Sequence, residues 1–209
     1  MRFRDRADAG EQLSEVLVGR APAPAVVLGI PRGGVLVAAP VARGLEAPLD
    51  VVVPKKLGAP GNPELGLGAV APGVRVLDER LIRKLGVDDA YLEAEIAREE
   101  SEIARRTAAY RGGRAGADFT EKTAVIVDDG VATGGTALAA IAWARKNGAA
   151  GVTFAAPVAP PDTADRIAAV CDDAVFLLTP SVFFAVGEWY ETFEQVSDDE
   201  VRAALRSQG

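Results

Sequence analysis

Histidine is absent from the 209-residue chain, and cysteine occurs once, at position 171. Without histidine the chain cannot build a Ser-His or Cys-His catalytic pair, and it cannot bind a metal through imidazole. A single cysteine forms no disulfide within the chain and cannot supply a zinc or iron–sulfur site. Any metal must therefore be bound through oxygen atoms.

Long apolar segments and an excess of positive charge are also lacking. No run approaches the roughly 18 to 20 apolar residues of a membrane span, and residues 1–8 contain no apolar signal region. We therefore expect a cytoplasmic protein without a membrane partner. The 23 basic residues are outnumbered by 30 acidic ones, which gives a formal net charge of −7. This charge would repel a nucleic-acid backbone, so no nucleic-acid partner is expected.

The composition, 49% hydrophobic and 25% charged, is typical of one globular domain over residues 1–209. Short, almost continuous apolar runs alternate with helical patterns, and such runs are typical of strands buried on both faces of a parallel sheet. The predicted strands are 25–30, 49–54, 123–127, 151–157 and 174–178. The predicted helices are 8–18, 35–44, 136–148 and 161–171. This order predicts an α/β fold, a doubly wound and mainly parallel sheet flanked by helices.

Two regions depart from the alternation. Residues 58–116 interrupt it with a glycine-rich stretch at 62–73, predicted to be a flexible loop, and with a helical insertion at 88–110. The insertion is predicted to be one long amphipathic helix, because its apolar residues recur at helical spacing among charged ones. Its stripe consists of Leu92, Ile96, Ile103 and Tyr110. Residues 179–209 form an irregular C-terminal region with many aromatic residues.

The stretch 125–136 carries the most informative pattern, an apolar strand followed by two acids, a small-residue loop and the start of a helix. After the strand it reads Asp128-Asp129-Gly130-Val131-Ala132-Thr133-Gly134-Gly135-Thr136. Glycines leave N–H groups open at a helix N-terminus, where they can bind a phosphate. The two carboxylates cannot bind that anion, but they can accept hydrogen bonds from sugar hydroxyls. The alternative is a simple helix cap after two turn-forming acids.

Other phosphate motifs fit this chain less well. The lysine that a Walker loop needs between Gly135 and Thr136 is missing. Residues 66–71 resemble a dinucleotide fingerprint, but Pro72-Gly73 follows where a helix should begin. Neither an ATPase nor a dinucleotide-binding site is therefore expected.

The acid pair and its loop resemble the motif with which type I phosphoribosyltransferases bind PRPP, 5-phosphoribosyl-1-pyrophosphate. Adenine-specific members carry DDLLATGGT, and residues 128–136 read DDGVATGGT. The resemblance implies that Asp128 and Asp129 hold the ribose hydroxyls and meet Mg²⁺ through those hydroxyls or water. It also implies that 132–136 hold the 5-phosphate, with Gly130 and Val131 completing the PRPP-binding segment. Hypoxanthine-guanine members have a further Asp where this chain has Ala132, which disfavours that acceptor class.

A second loop, Gly29-Ile30-Pro31-Arg32-Gly33-Gly34, follows the first strand and resembles the pyrophosphate loop of the same family. Its glycines expose N–H groups to an anion, and the Arg32 fork can pair with phosphate oxygens. Pro31, Arg32, Gly33 and Gly34 are therefore assigned to PRPP. Family members often carry a cis peptide in this loop, here expected at or next to Pro31-Arg32. A purely structural turn is the alternative.

A lysine pair, Lys55-Lys56, follows the second strand, and residues 54–61 resemble the RKKGKLPG of adenine-specific members. Both lysines are assigned to PRPP, because two cations at a strand end suit a diphosphate. Arg32 and Lys55 are further expected to assist departure of pyrophosphate, so they join Asp128 and Asp129 as predicted catalytic residues. The alternative is a solvated charge pair. Glu64 is a weaker match to a proton-handling glutamate, because its spacing differs.

The C-terminal segment 183–190 resembles the hood that closes over the base in purine salvage enzymes. Phe183 and Trp189 are candidate acceptor-binding residues, because an aromatic ring there could stack on a flat acceptor. A plain core role is the alternative.

The resemblance as a whole implies an enzyme of nucleotide salvage. It would use PRPP and Mg²⁺ to transfer 5-phosphoribose to a nitrogen of a small-molecule acceptor, a nucleobase or related heterocycle, with release of pyrophosphate. The usual state of the family implies a homodimer. The sequence leaves the acceptor open, and it leaves two other functions, a non-catalytic regulator that senses PRPP and a hydrolase that releases free ribose phosphate.

Overall fold

A computed structural model describes residues 2–207, without the side chain of Glu64, so the predicted role of Glu64 lies outside the described residues. The elements in chain order are α1 (Arg6–Leu17), β1 (Ala25–Gly29), α2 (Gly33–Gly44), β2 (Leu49–Val51), β3 (Lys55–Ala59), β4 (Asn62–Ala71), β5 (Val74–Leu77), α3 (Glu79–Leu85), α4 (Asp89–Arg111), β6 (Thr123–Val127), α5 (Gly135–Lys146), β7 (Gly151–Val158), α6 (Pro161–Ala168), β8 (Asp173–Leu178), a 3₁₀ turn (Val186–Trp189) and α7 (Asp198–Arg206).

The central sheet contains five parallel strands in the order β2-β1-β6-β7-β8 among the described residues. Every residue of β6 is buried, which explains its continuous apolar sequence. Helices cover both faces, so the predicted doubly wound α/β fold is confirmed. Alternate residues of β6 enter different apolar clusters, because successive side chains of a strand point to opposite faces. Val125 and Val127 face a cluster with α1, α2, α4 and α7, whereas Ala124 and Ile126 face one with α5 and α6.

Residues 62–73, predicted to be a flexible loop, instead belong largely to a second, antiparallel sheet, β3-β4-β5. Most of that stretch is the ten-residue strand β4, in which Leu67, Ala69 and Ala71 are fully buried. Gly68, with a φ of 145°, pairs with Leu57 beside a register shift, since the next residue of β3, Gly58, pairs with Gly66. The glycines of residues 62–73 suggested a loop, but Gly68 lies at a bulge and in close contact with β5.

The helical insertion consists of α3 and the 23-residue α4. The Asp88 side chain caps α4 by accepting from the Tyr91 N–H at 2.7 Å, and Gly112 ends it with a left-handed φ of 57°. The predicted apolar stripe is buried, which confirms the amphipathic helix. No helix among residues 2–207 combines the length and apolarity of a membrane span.

A buried ion pair fastens the end of α4 to the edge of the central sheet. Arg111 donates from Nε and Nη2 to the two carboxylate oxygens of Asp50, at 3.0 and 2.8 Å. Asp50 also accepts from the backbone N–H groups of Val51 and Ala117, each at 2.8 Å. Because Asp50 is only 6% exposed, loss of its partner would leave a buried charge.

We expect Arg111→Met to lower the free energy of unfolding by about 3 kcal/mol, because breaking a buried pair strands the remaining charge. Urea unfolding would measure this change. The matched control is Arg105→Met, which removes an arginine of the same helix that is 64% exposed and pairs with Glu102. Its cost should stay below about 1 kcal/mol. Equal losses in the two variants would contradict a special role for Arg111.

Candidate active site

The candidate site lies where the connections of the central sheet change direction. From β1 the chain passes through α2 to β2 on one side, and from β6 it passes through α5 to β7 on the other. Open sheets bind ligands in the crevice at such a point, outside the carboxyl ends of the strands. Residues 30–34 follow β1 and the acid pair Asp128-Asp129 follows β6, so two of the sequence motifs meet there. A hydrogen bond of 2.9 Å from Ile30 N–H to the Val127 carbonyl joins them.

Gly33 and Gly34 let the first turn of α2 approach the acid pair. A Cβ atom on Gly34 would lie 2.8 Å from Cα of Asp128, and one on Gly33 would collide with the Asp129 carboxylate. A side chain at either position would therefore separate the two motifs. The first turn of α2 has no side-chain cap, so the N–H groups of Gly33 and Gly34 remain open to an anion, whereas that of Val35 donates to the Arg32 carbonyl. The peptide bond Pro31-Arg32 is cis, as the resemblance implied.

The guanidinium of Arg32 lies beside the N-terminus of α7. Its Nη1 is 4.0 Å from Oδ1 of Asp198, and that carboxylate also accepts from the Tyr110 hydroxyl at 2.8 Å. Desolvation and hydrogen bonding to Asp198 raise the pKa of Tyr110 above its ordinary value. The C-terminal helix and the end of α4 thus both reach the loop predicted to bind pyrophosphate.

The motif residues line two neighbouring cavities. The first, of about 490 Å³ and here called the acid-pair cavity, is lined by Arg6, Ile30, Pro31, Arg32, Gly33, Pro54, Asp128, Asp129, Thr136 and residues 193–196. The second, of about 640 Å³ and here called the loop cavity, is lined by Lys56, Ala132, Thr133, Gly135, Thr163 and Arg166, among others. A larger cavity of about 780 Å³ lies between α4, α5 and β2, and none of the predicted site residues lines it.

Residues of α6, which the sequence analysis did not single out, hold the loop 130–136 by its carbonyl groups. The Thr163 hydroxyl donates to the Ala132 carbonyl at 2.9 Å, and Arg166 donates to the Thr133 carbonyl at 2.7 Å. Gly134, with a φ of 76°, faces Thr163, so a side chain there would meet α6 rather than the loop cavity. Gly130 and Val131 contact Val186 and the core instead of either cavity.

The two lysines point in different directions, because adjacent residues of a strand face opposite sides. Lys56 lines the loop cavity, and its positive charge partly offsets the rise in the pKa of Asp128. Lys55 instead lies 3.4 Å from Oε2 of Glu99, a residue of α4 that is 6% exposed. The structure therefore groups Lys56 with the motif residues and places Lys55, a predicted catalytic residue, against α4.

Asp128 and Asp129 have different surroundings although they are adjacent. Burial, together with the charge of Asp129, raises the pKa of Asp128 well above its ordinary value. Asp128 accepts the backbone N–H of Asp129 at 2.9 Å. Asp129 has a full counter-charge, since Nε of Arg6 donates to its Oδ2 at 2.8 Å. Sequence reasoning missed Arg6, because no motif surrounds it.

Paired terminal segments cover the acid pair. Phe3 and Tyr190 form a parallel backbone bridge, which brings Arg6 and residues 193–196 over the site. The Tyr190 hydroxyl donates to the Asp129 carbonyl at 2.6 Å, and burial followed by the Asp129 charge raises the pKa of Tyr190.

The structure does not place the two candidate acceptor-binding aromatics at the acid-pair cavity. Phe183 lines neither cavity, and Trp189 packs against a small cluster around Phe3 and Tyr190. Phe193 is the aromatic residue that lines the acid-pair cavity. The irregular chain after β8 offers no periodicity from which the sequence could assign these faces.

The donor atoms at the site suit an oxygen-bound cation only in part. Asp128 and Asp129 supply carboxylates, and the part of the chain described here contains no cluster of three potential metal-ligating side chains. Mg²⁺ prefers six oxygen ligands and commonly keeps waters and substrate phosphates among them. The residues would therefore fit a Mg²⁺ ion that arrives with a phosphorylated ligand, with these aspartates meeting it through sugar hydroxyls or water.

Comparison with known families and proteins gives one consistent result. The model of the phosphoribosyl transferase domain family matches residues 7–192. Two Mycobacterium tuberculosis proteins, described provisionally as phosphoribosyl transferases, are each 48% identical over 204 residues. The alignments cover 97% of this chain and 46% of each relative, so the chain spans about half the length of these curated relatives.

Solved structures show the same fold. The crystal structure of TT1426 from Thermus thermophilus matches with a TM-score of 0.84 and 44% identity, over 100% of this chain and 99% of that one. A purine phosphoribosyltransferase from Pyrococcus horikoshii matches with a TM-score of 0.50 and 20% identity, over 94% and 97% of the two chains. At that identity the second match supports the fold alone.

We expect Asp128→Asn to stabilise the ligand-free protein at pH 7 by about 0.5 to 2 kcal/mol. A carboxyl whose folded-state pKa is raised destabilises the protein at pH values above that pKa. The gain should therefore be largest at neutral pH, shrink as the pH falls through the raised pKa, and vanish below the ordinary Asp range near 3.9. Urea unfolding as a function of pH measures it. A stability gain that is independent of pH would show that it does not arise from the raised pKa of Asp128.

Proposed function

This chain belongs to the phosphoribosyltransferase family, and from that we infer that it binds PRPP with Mg²⁺ and transfers the 5-phosphoribosyl group to a nitrogen of a small heterocyclic acceptor. One observation carries the proposal. The acid pair lies in one crevice with two helix N-termini that lack side-chain caps, those of α2 and α5. A ligand with hydroxyls between two phosphorylated ends matches that arrangement of acceptors and donors.

Each part of PRPP has a counterpart in this proposal. The ribose hydroxyls donate to Asp128 and Asp129. The 5-phosphate binds to the N–H groups and hydroxyls of residues 132–136, beside Lys56 and Arg166. The diphosphate binds to the open first turn of α2 and to Arg32. Bound Mg²⁺ would neutralise phosphate charge and polarise the bond to the leaving group.

The transfer breaks the bond between C1 of the ribose and the diphosphate oxygen, and it forms a bond between C1 and the acceptor nitrogen. The electron pair of the broken bond leaves with pyrophosphate, and the acceptor nitrogen gives up a proton. Positive charge develops at C1 as the bond breaks, so the carboxylates at the ribose and the cations at the diphosphate act mainly by electrostatics. Arg32 is the residue of this chain that faces the departing charge.

Pyrophosphate release tests the proposal. The purified protein would be incubated with PRPP, Mg²⁺ and a panel of purine and pyrimidine bases, with chelated metal as the control. Release that depends on both metal and base is expected. A protein that binds PRPP but releases no pyrophosphate with any acceptor would be a PRPP sensor, and release without any acceptor would indicate a hydrolase.

The double variant Asp128→Asn with Asp129→Asn should weaken Mg²⁺-dependent PRPP binding by at least about tenfold, because two charge-assisted hydrogen bonds become neutral ones. Calorimetric titration with and without Mg²⁺ measures the change. Ala150, a surface residue at the opposite end of the sheet, offers a control position as Ala150→Ser. Unchanged PRPP affinity in the double variant would show that the acid pair does not bind the ribose.

Lys56→Ala should lower PRPP affinity by about tenfold or more, whereas Lys55→Ala should change it less than about threefold. The reason is that one lost charge-assisted contact costs about 1.5 to 3 kcal/mol and only Lys56 lines a cavity with the loop 130–136. The two variants remove the same group from adjacent positions, so each controls for the other. A larger effect at Lys55 would show that this lysine leaves Glu99 when PRPP binds.

A further inference from the structure

Arg6, the first residue of α1, is a cation of the acid-pair cavity that belongs to none of the sequence motifs. Its Nε donates to Asp129 at 2.8 Å, and its Nη1 donates to the backbone carbonyl of Glu194 at 2.8 Å. Its guanidinium carbon lies 3.9 Å from the centroid of the Phe193 ring. Two hydrogen bonds and one stacked face fix the position and the plane of the group.

The third nitrogen of this guanidinium, Nη2, stays available to a ligand. It makes no hydrogen bond with residues 2–207, and it is not one of the buried polar atoms that lack a partner. Nη2 lies on the same edge of the guanidinium as the Nε–H group, and this edge faces Asp129 in the acid-pair cavity. Arg6 also lines a second cavity, with residues of α2 and of the C-terminal segment. The site therefore presents two fixed N–H donors and a positive charge next to the acids proposed to bind ribose.

Arg6 lies between the first turn of α2, where a Cβ atom on Gly33 would be 2.6 Å from its Nε, and the wall formed by the C-terminal segment. The groups already present at the diphosphate favour a role for Arg6 on the side of that wall. The diphosphate end already has Arg32 and the open turn of α2. Arg6 lies with Phe193 and residues 194–196, the part of the wall formed by the C-terminal segment. Phe193 packs against Arg6 and, 4.8 Å away, against the Tyr190 ring, and it stays 37% exposed, so a flat acceptor at this wall would meet the guanidinium beside a partly exposed ring.

We propose that Arg6 determines acceptor specificity by selecting a planar heterocycle with an exocyclic oxygen, a carbonyl or carboxylate, over one with an amino group at that place. This inference rests on the proposed function. A guanidinium only donates hydrogen bonds, so an oxygen satisfies Nη2, whereas an amino group would bring a second donor against it. A site built to bond one group rejects the analogue that lacks it, because the bound analogue excludes water and leaves the donor of the site unpaired.

Product-side binding tests the inference with two matched pairs of probes. Inosine and adenosine 5′-monophosphates differ in an exocyclic oxygen or amino group and in the proton on the neighbouring ring nitrogen, and so do uridine and cytidine 5′-monophosphates. Calorimetric titration of the wild-type protein should show about tenfold tighter binding of the oxygen-bearing member in at least one pair. Arg6→Met should bring that ratio close to one. Arg6→Lys, which keeps a charge beside Asp129 but lacks a second nitrogen, should also lose most of the ratio.

The matched control is Arg4→Met, which removes an arginine of the same segment that is 71% exposed and pairs with Asp8. It should keep the wild-type ratio. Because the readout is a ratio within each protein, a general loss of affinity in Arg6→Met does not imitate the effect, and Arg6→Lys serves if the methionine variant does not fold.

Several outcomes would overturn the inference. These are equal affinities within both pairs, a preference that survives Arg6→Met, or no binding of any of the four nucleotides by a wild-type protein that binds PRPP with Mg²⁺. A variant that loses PRPP affinity but keeps the nucleotide ratio would place Arg6 at the diphosphate end. In each of these cases the proposed function stands, whereas a wild-type protein that does not bind PRPP would overturn both.

Discussion

The close contact between the first turn of α2 and the acid pair determines the geometry of the whole site. Gly33 and Gly34 have no side chain to hold α2 away, so its open N–H groups come within reach of the ligand that the carboxylates hold. The contact is possible because β1 and β6 are neighbours in register, with Gly29 opposite Val127. The order of the strands, the two glycines and the acid pair therefore act together to fix the geometry of the site.

That contact concentrates negative charge in a small space, and the surroundings compensate for it unequally. Asp129 has Arg6 as a partner, whereas Asp128 carries the raised pKa and has the more distant Lys56 as its opposing charge. A protein selected for stability alone would not leave a carboxylate in this state. The arrangement is typical of a site whose charge is completed by a ligand, which explains why stability and binding are expected to respond in opposite ways to loss of Asp128.

The sequence predicted those features that depend on local pattern. Continuous apolar runs predicted the parallel strands, and apolar residues at helical spacing predicted the long helix. Strand β4 was missed because a bulge glycine and a loop glycine look alike without the partner strand. Lys55 and Lys56 lie on opposite sides of β3, and which of them lies on which side depends on where the strand begins. Two identical adjacent residues give no sign of that position. Arg6 and Phe193 reach the site only through the pairing of distant segments, for which one sequence carries no signal.

The grip of α6 on the loop 130–136 has a consequence for binding kinetics. Thr163 and Arg166 hold two successive carbonyl groups, so the peptide planes of the loop are oriented before any anion arrives. The entropy of ordering this loop is therefore lost during folding instead of during the encounter with ligand. A loop ordered in advance needs no rearrangement on capture, so the association rate should be set by diffusion and charge. Loss of these hydrogen bonds would then mainly lower the association rate and raise the dissociation rate of a phosphorylated ligand.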